Sequence, residues 1–328
     1  MRCFILTNKN IFIAPLDWGL GHATRCVPLI KQLMQHNTIV LGITPTTQLI
    51  FNEEFPHLKK INIEPYNIRY SGWLPVPLKL LMDVPRILKV INKEHQQLED
   101  IIISNAINVV ISDNRFGLWN KQVECIYITH QLNMQAGWLS GIANKIHHHY
   151  MKKFQQLWVP DVVAKKNIAG KLSQSQVLQN VRYIGALSRL VKLETTTKTI
   201  DYLILLSGPE PQRTLLEEAL MKIANTSTKT ICLVRGSDFL VPERKNNNMQ
   251  IINYARASEL SELVSSANCV ICRSGYSTLM DLYVLKKQNI ILIPTPQQNE
   301  QEYLASYWEQ NYGAKVVLQK NINKLTLN

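Results

Sequence analysis

Residues 268–281 read NCVICRSGYSTLMD. The left half is a short apolar run bounded by polar residues, the pattern of a strand buried on both faces. The right half opens on the small residues Ser274 and Gly275 and runs on as a helical stretch. Strand, tight turn and helix together expose the free N–H groups and positive dipole end of a helix start beyond the strand's carboxyl end. Ser274, Gly275, Ser277 and Thr278 offer backbone and hydroxyl donors suited to a pyrophosphate. Asp281, in the first turns of the helix, can accept hydrogen bonds from a ribose diol. Cys269 and Cys272 read as buried structural thiols: residues three apart on a strand point to opposite faces, and no second pair follows.

The same alternation runs through the chain. Apolar runs at 11–15, 38–43, 60–63, 109–112, 126–129, 157–159 and 182–184 form a first set, and runs at 202–206, 229–234, 250–252, 269–272, 290–293 and 315–318 a second. Longer helical stretches separate them, which predicts α/β architecture with parallel sheets covered on both faces. The polar stretch RLVKLETTTKT at 189–199 lies between the sets and reads as a linker. Two doubly wound, Rossmann-like domains are therefore expected, 1–188 and 189–328.

A length of 328 residues agrees with two domains, and a chain 46% hydrophobic and 18% charged can bury real cores. No run approaches the ~18 apolar residues of a membrane span, and the opening residues do not read as a secretory signal. A cytoplasmic protein is the expectation. The net charge is +12, and the first 188 residues carry 20 basic against 11 acidic groups. That excess points to an anionic partner: a lipid surface, a phosphorylated substrate or nucleic acid. No RNA-recognition, KH or helix-turn-helix signature is present, so nucleic acid is not an expected partner.

Ligands of open parallel sheets bind beyond the carboxyl ends of the strands. The loop after the first run reads PLDWGLGH at 15–22, and a helix is expected over 23–35. Gly19 and Gly21 permit a sharp turn and close approach to a ligand. Thr24 stands where a dinucleotide fingerprint needs Gly or Ala, and the Gly-Lys-Ser/Thr end of a Walker A loop is missing. His22, at the helix start, reads either as a site residue or as a packing or capping histidine. Asp113 follows the run 109–112; it reads as a helix cap or as a carboxylate able to hold the tautomer of a histidine on another loop. His130 follows the run 126–129 with the same two readings. Ser207 and Gly208 make another loop-to-helix turn. PTPQQNEQEY at 294–303 is loaded with amides and carboxylates that suit a polyhydroxylated ligand, or a solvated loop. His147, His148 and His149 are consecutive, so on a helix they point three ways, unlike the i,i+4 pair of a metal site. No metal site is expected.

These loops, in this order, resemble the GT-B glycosyltransferases, specifically the family 28 group that includes the UDP-N-acetylglucosamine transferase of peptidoglycan precursor synthesis. GLGH at 19–22 resembles the group's glycine-rich first loop, CRSGYSTLMD at 272–281 its donor signature, and 294–303 its closing sugar-binding loop. YIGALSR at 183–189 is similar to the segment preceding its second domain. The chain departs from the group at Asp281, which stands for a glutamate, and at Gln301 and Glu302, which stand for a glutamine pair. No long helical stretch follows the run 315–318.

The resemblance implies two Rossmann-like domains facing a cleft, with the acceptor on the first and a UDP-sugar on the second. Ser207, Gly208, Ser274, Gly275, Ser277, Thr278, Asp281, Gln301 and Glu302 would bind that donor, while Gly19, Gly21 and His130 would line the acceptor and phosphate loop. It implies an inverting displacement with His22 as general base, oriented by Asp113, and with no cofactor or obligatory metal beside the UDP-sugar co-substrate. His130 and Asp17 are rival bases. The alternatives to transfer are a UDP-sugar 2-epimerase or hydrolase of the same fold, and a non-catalytic nucleotide-sugar-binding protein. Finally, the stretch 77–93 carries Leu81, Val84, Leu88 and Ile91 at helical spacing beside Lys79, Arg86, Lys89 and Lys93, with Trp73 just before it. It reads as an ordinary amphipathic helix or as a docking face for anionic lipid at the inner face of the cell membrane, which would suit a lipid-linked acceptor.

Overall fold

The structure is a computed structural model; it describes residues 6–66, 76–135, 140–193, 197–208, 210–236, 244–245 and 248–327, with backbone alone at 76–83 and 244–245. The chain forms two compact units: the described residues up to Arg189 apart from Val76 make the first, and Val76 with the residues from Leu190 onward the second.

In the first unit β1 (Asn10–Pro15), α1 (Leu20–Leu33), β2 (Thr38–Ile43), α2 (Pro45–Glu54) and β3 (Lys59–Asn62) are followed by α3 (Val76–Ser104) and β4 (Val109–Asp113). Then come β5 (Glu124–Ile128), α4 (Ser140–Met151), β6 (Gln156–Val159) and β7 (Val181–Tyr183). The strands form one parallel sheet in the order β3-β2-β1-β4-β5-β6-β7. Phe12, Val110, Tyr127 and Leu157 of the sheet pack against Leu98, Ile101 and Ile102 of α3 and Met151 of α4. Burial on both faces explains why these strands are continuous apolar runs rather than alternating ones.

The second unit contains β8 (Ile200–Leu205), α5 (Gln212–Ala224), β9 (Ile231–Val234), β10 (Arg244–Lys245), β11 (Met249–Ile252) and α6 (Ala257–Ser266). It continues with β12 (Ala267–Cys272), α7 (Tyr276–Val284), β13 (Ile290–Leu292), α8 (Asn299–Tyr312) and β14 (Lys315–Val316). The sheet order is β10-β11-β9-β8-β12-β13-β14, and every pairing is parallel except that of β10 with β11. The two-residue β10 lacks an apolar run and was not foreseen. Ile204, Leu233, Ile271 and Ile293 meet Leu216 and Leu220 of α5, and Leu325 and Leu327 close the same core.

In both sheets the chain order reverses once near the middle, between β1 and β4 and between β8 and β12. At such a point the loops of adjacent strands diverge and leave a crevice at the carboxyl ends, where ligands of open α/β sheets bind.

Three expectations are refined. Helix α1 begins at Leu20 rather than residue 23, so Gly21 and His22 lie in its first turn. The three consecutive histidines do part company: His147 is buried edge-on to Phe116, with ring centroids 5.4 Å apart, while the Nε2 of His148 bonds the Leu132 carbonyl at 2.8 Å and His149 lies against Tyr150. On α3, Val84 and Leu88 are 38% and 42% exposed, whereas Val90 and Ile91 are buried; the expected apolar stripe thus splits, and Trp73 and the Leu81 side chain lie outside the described residues. Among the described residues no helix is long and apolar enough to cross a membrane. Cys272 is buried and its thiol is pushed up to about 12 by burial, while Cys269 is partly buried; both are free thiols.

Candidate active site

The loop from Pro15 to Gly19 turns sharply into α1. Gly19, the residue before the helix, has φ +81°, a left-handed conformation that favours glycine, and a Cβ placed there would meet nothing within 4 Å. Gly19 itself supplies no side-chain cap to the helix start. His22, three residues in, projects toward the end of the neighbouring strand β4. That end is held by a tight turn: Ser112 donates its hydroxyl to the Arg115 carbonyl at 2.6 Å and accepts from the Arg115 N–H at 3.1 Å. Asn114 sits between them with φ +61°. Asp113 is thereby aimed across the crevice between β1 and β4.

The His22 Nδ1 lies 3.1 Å from Asp113 Oδ1. The expected pair therefore exists, with the ring 14% exposed and the carboxylate buried. The Nε2 has no hydrogen-bond partner among the described residues, which leaves it as the atom able to meet a substrate proton.

The third member was not anticipated. Arg25, one turn after His22, is buried and grips Asp113 with both arms: its Nε donates to Oδ2 at 2.7 Å and its Nη2 to Oδ1. The same Nη2 lies 2.9 Å from His22 Nδ1, and Nη1 lies 3.2 Å from His130 Nδ1. A clue was available, because residues at i and i+3 share a helix face and whatever His22 meets Arg25 also approaches. Burial alone would push the Asp113 carboxyl upward, but the Arg25 guanidinium and the His22 ring hold it well below the usual carboxylate range. Burial and the Arg25 charge together lower the His22 imidazole, against the opposing pull of Asp113.

The rival bases are differently placed. The buried His130 ring meets Arg25 at Nδ1, 3.2 Å from Nη1, and the Gln131 amide at Nε2, so neither of these contacts is to a carboxylate. The Asp17 carboxylate accepts from the Tyr66 N–H at 3.1 and 3.2 Å and faces Arg115 at 3.5 Å. Arg115, also buried, binds the Glu94 carboxylate and the Glu64 carbonyl, and Glu94 takes the Tyr66 hydroxyl at 2.8 Å. This network fastens the Pro15–Gly19 loop to α3 and holds Asp17 within it.

In the second unit, the loops after β8 and β12 are neighbours at the other crevice. Gly208 has φ +104° and is exposed, with Ser207 half-buried before it. Gly275 precedes α7, which has no side-chain cap; Ser277 and Thr278 lie in its first turn and Asp281 one turn further, all half-buried. A Cβ at Gly208 or at Gly275 would meet nothing within 4 Å, whereas at Gly42 it would lie 2.7 Å from Ala14 and Phe12. The two loop glycines therefore front open space, and the strand glycine fills a packed core.

Three of the expected donor contacts are already engaged inside the protein. The Ser274 hydroxyl is buried and donates to the Gln301 carbonyl at 2.7 Å. The Gln301 amide accepts from the Thr295 N–H at 3.0 Å and donates to Gln298 at 2.6 Å. Glu302 accepts from the Gln297 N–H at 3.2 Å. These side chains shape the 294–303 turn around Gln297, which has φ +66°. Arg273, unassigned from sequence, ties the loops together: buried, it donates to the Ile293 carbonyl at 3.1 Å, the Gln319 side chain at 2.7 Å and the Gln212 carbonyl at 2.8 Å.

Residues 212–328 match the profile of the glycosyltransferase family 28 C-terminal domain. No curated protein sequence matches the chain. Among solved structures, the spinosyn rhamnosyltransferase SpnG superposes with a TM-score of 0.65 at 13% identity, covering 96% of this chain and 89% of its own. The calicheamicin glycosyltransferase CalG4 gives 0.64 at 10%, covering 98% and 90%, and MurG of Acinetobacter baumannii gives 0.57 at 12%, covering 97% and 87%. SpnG has been seen in complex with thymidine diphosphate and with spinosyn aglycone. The second unit thus carries a glycosyltransferase family 28 C-terminal domain, and the chain's two doubly wound units share the GT-B fold of these solved glycosyltransferases.

Proposed function

We propose that this glycosyltransferase moves a hexose or N-acetylhexosamine from a UDP-sugar to an acceptor hydroxyl, with inversion at the sugar carbon and His22 as general base. The observation that carries the reading is His22 paired at Nδ1 with the buried Asp113 and unpartnered at Nε2 among the described residues. When Nδ1–H donates to Asp113, the Nε2 lone pair faces outward and can take the acceptor's hydroxyl proton as the oxygen attacks the anomeric carbon. The UDP leaves with the bonding electron pair, and its pyrophosphate charge meets the helix start behind Gly275 and the loop at Ser207 and Gly208. Ser277, Thr278 and Asp281 supply the remaining donor contacts, and Gln301 and Glu302 keep the 294–303 loop in shape to receive the sugar. Gly19 and Gly21 let the acceptor approach the first unit closely. The SpnG complexes support this division of ligands into a nucleoside diphosphate and an acceptor. No cofactor or metal enters the scheme. Exposed Val84 and Leu88 beside Arg86 and Lys89 would hold the enzyme at an anionic membrane surface carrying a lipid-linked acceptor.

The test begins with a panel of nucleoside diphosphate sugars in thermal shift, followed by UDP release with and without candidate acceptors. His22→Ala should cost roughly 10²–10⁴ in the saturated rate, the usual contribution of a general base, while UDP affinity stays nearly unchanged. An undiminished rate removes His22 from the base role. Turnover of the UDP-sugar without any acceptor would instead assign an epimerase or hydrolase.

A further inference from the structure

Asp113 and Arg25 compete for one atom. The His22 Nδ1 lies 3.1 Å from the Asp113 oxygen and 2.9 Å from the Arg25 Nη2, and both neighbours are buried. In a bare histidine–carboxylate pair the anion attracts a second proton onto the ring and raises its basicity. Here the anion is gripped through both oxygens by a guanidinium that cannot lose its charge. A protonated ring would also turn its Nδ1–H toward the Arg25 Nη2, placing two cations within hydrogen-bond distance in a buried setting.

We propose that Arg25 is a positioning residue for His22: by neutralising Asp113 and opposing a second proton on the imidazole, it keeps the ring neutral at and below neutral pH. The proposal rests on the reading of His22 as the base, but its physical content, the control of one ring by one guanidinium, stands apart from turnover. The charged and titratable groups around the ring are Arg25 and Cys26 from α1, Asp113 from β4, and His130 from the loop after β5. Cys26 donates its thiol to Asp113 Oδ2 at 3.4 Å and, with burial pushing that thiol well up, adds no charge. The His130 Nδ1 lies 3.2 Å from the Arg25 Nη1. Tyr127 of β5 directs its hydroxyl to Asn114 at 3.0 Å and is uncharged. Arg25 is the fixed cation of this group, and the direction of the His22 shift agrees with its influence.

The experiment titrates His22 by NMR of the ring carbons in the full chain, wild type beside Arg25→Met and Arg25→Lys, with His22→Ala identifying the signal. In wild type the midpoint should lie below the ordinary 6.5. Arg25→Met leaves the Asp113 anion unopposed, so the midpoint should rise by about one unit or more, the effect of a carboxylate at this range. Arg25→Lys keeps a cation but loses the fork, and should raise it by less. The acid limb of the pH–rate profile should move with the ring, whereas a merely structural arginine would lower stability and leave both midpoints in place. If Arg25→Met does not fold, the Arg25→Lys titration decides alone: no rise overturns the proposal. A moved ring midpoint in an enzyme whose His22→Ala variant is fully active would sustain the control by Arg25 and sink the base assignment instead.

Discussion

Replacing Gly275 with valine tests the donor site with little disturbance to the fold. Gly275 has φ −70° and ψ 138°, values open to any L-residue, and a Cβ there meets nothing within 4 Å. The cost to folding is that of a poorer residue before a helix, below about 1 kcal/mol. The cost to binding is larger if a phosphate sits at the start of α7. The valine methyls would stand where a phosphate oxygen must approach the first-turn N–H groups. Losing two charge-assisted hydrogen bonds at about 1.5–3 kcal/mol each lowers affinity by at least 10²-fold, on the order of 3 kcal/mol or more. The assay is UDP titration by calorimetry together with thermal unfolding with and without UDP. Wild type at 100 times its Kd should gain about 2.7 kcal/mol from ligand, and Gly275→Val at the same concentration about 0.4 kcal/mol or less. Gly42→Ala is the contrasting variant: its Cβ lies 2.7 Å from Ala14 and Phe12, so it should lose stability while the folded fraction keeps its UDP affinity. Gly275→Val binding UDP within twofold of wild type would refute the placement of the donor.

Other outcomes follow from the buried charges. Asp113→Ala strands the Arg25 guanidinium in the interior and should destabilise by about 3–5 kcal/mol in urea denaturation. The depressed Asp113 carboxyl makes its own contribution fully present above the unfolded pKa near 4 and lost as pH falls through the folded value. His147, buried and lowered to about 3, should erode stability as pH drops below 6.5, by about 2 kcal/mol at pH 5. Its Nδ1 has no hydrogen-bond partner among the described residues, so His147→Leu should abolish that slope at little cost at pH 7.5. Exposed Val84 and Leu88 predict sedimentation with anionic vesicles at low salt, lost on Leu88→Glu; a wild type that ignores such vesicles removes the membrane contact.

The fold was legible because its signals are local. Apolar runs such as Phe12–Ala14 or Val270–Ile271 owe their continuity to burial on both faces, and the small-residue turns that follow them mark the carboxyl ends at any reading distance. His22 and Asp113 could be named because each stands just beyond such a run. Their meeting could not be derived, since 91 residues separate them and strand order decides which loops adjoin: only with β1 beside β4 does Pro15 register against Asp113 and bring the pair to 3.1 Å. Arg25 went unassigned for the same reason. A basic residue on an amphipathic helix looks like solvent-facing charge until a carboxylate 88 residues away is placed to receive it. Conversely, Ser274, Gln301 and Glu302 have side chains suited to a ligand, and the tertiary structure turns them to their own loop instead. Residue type sets what hydrogen bonds a group can make, but the partner is set by which chain segments packing brings within about 3 Å, and that distance belongs to the folded molecule alone.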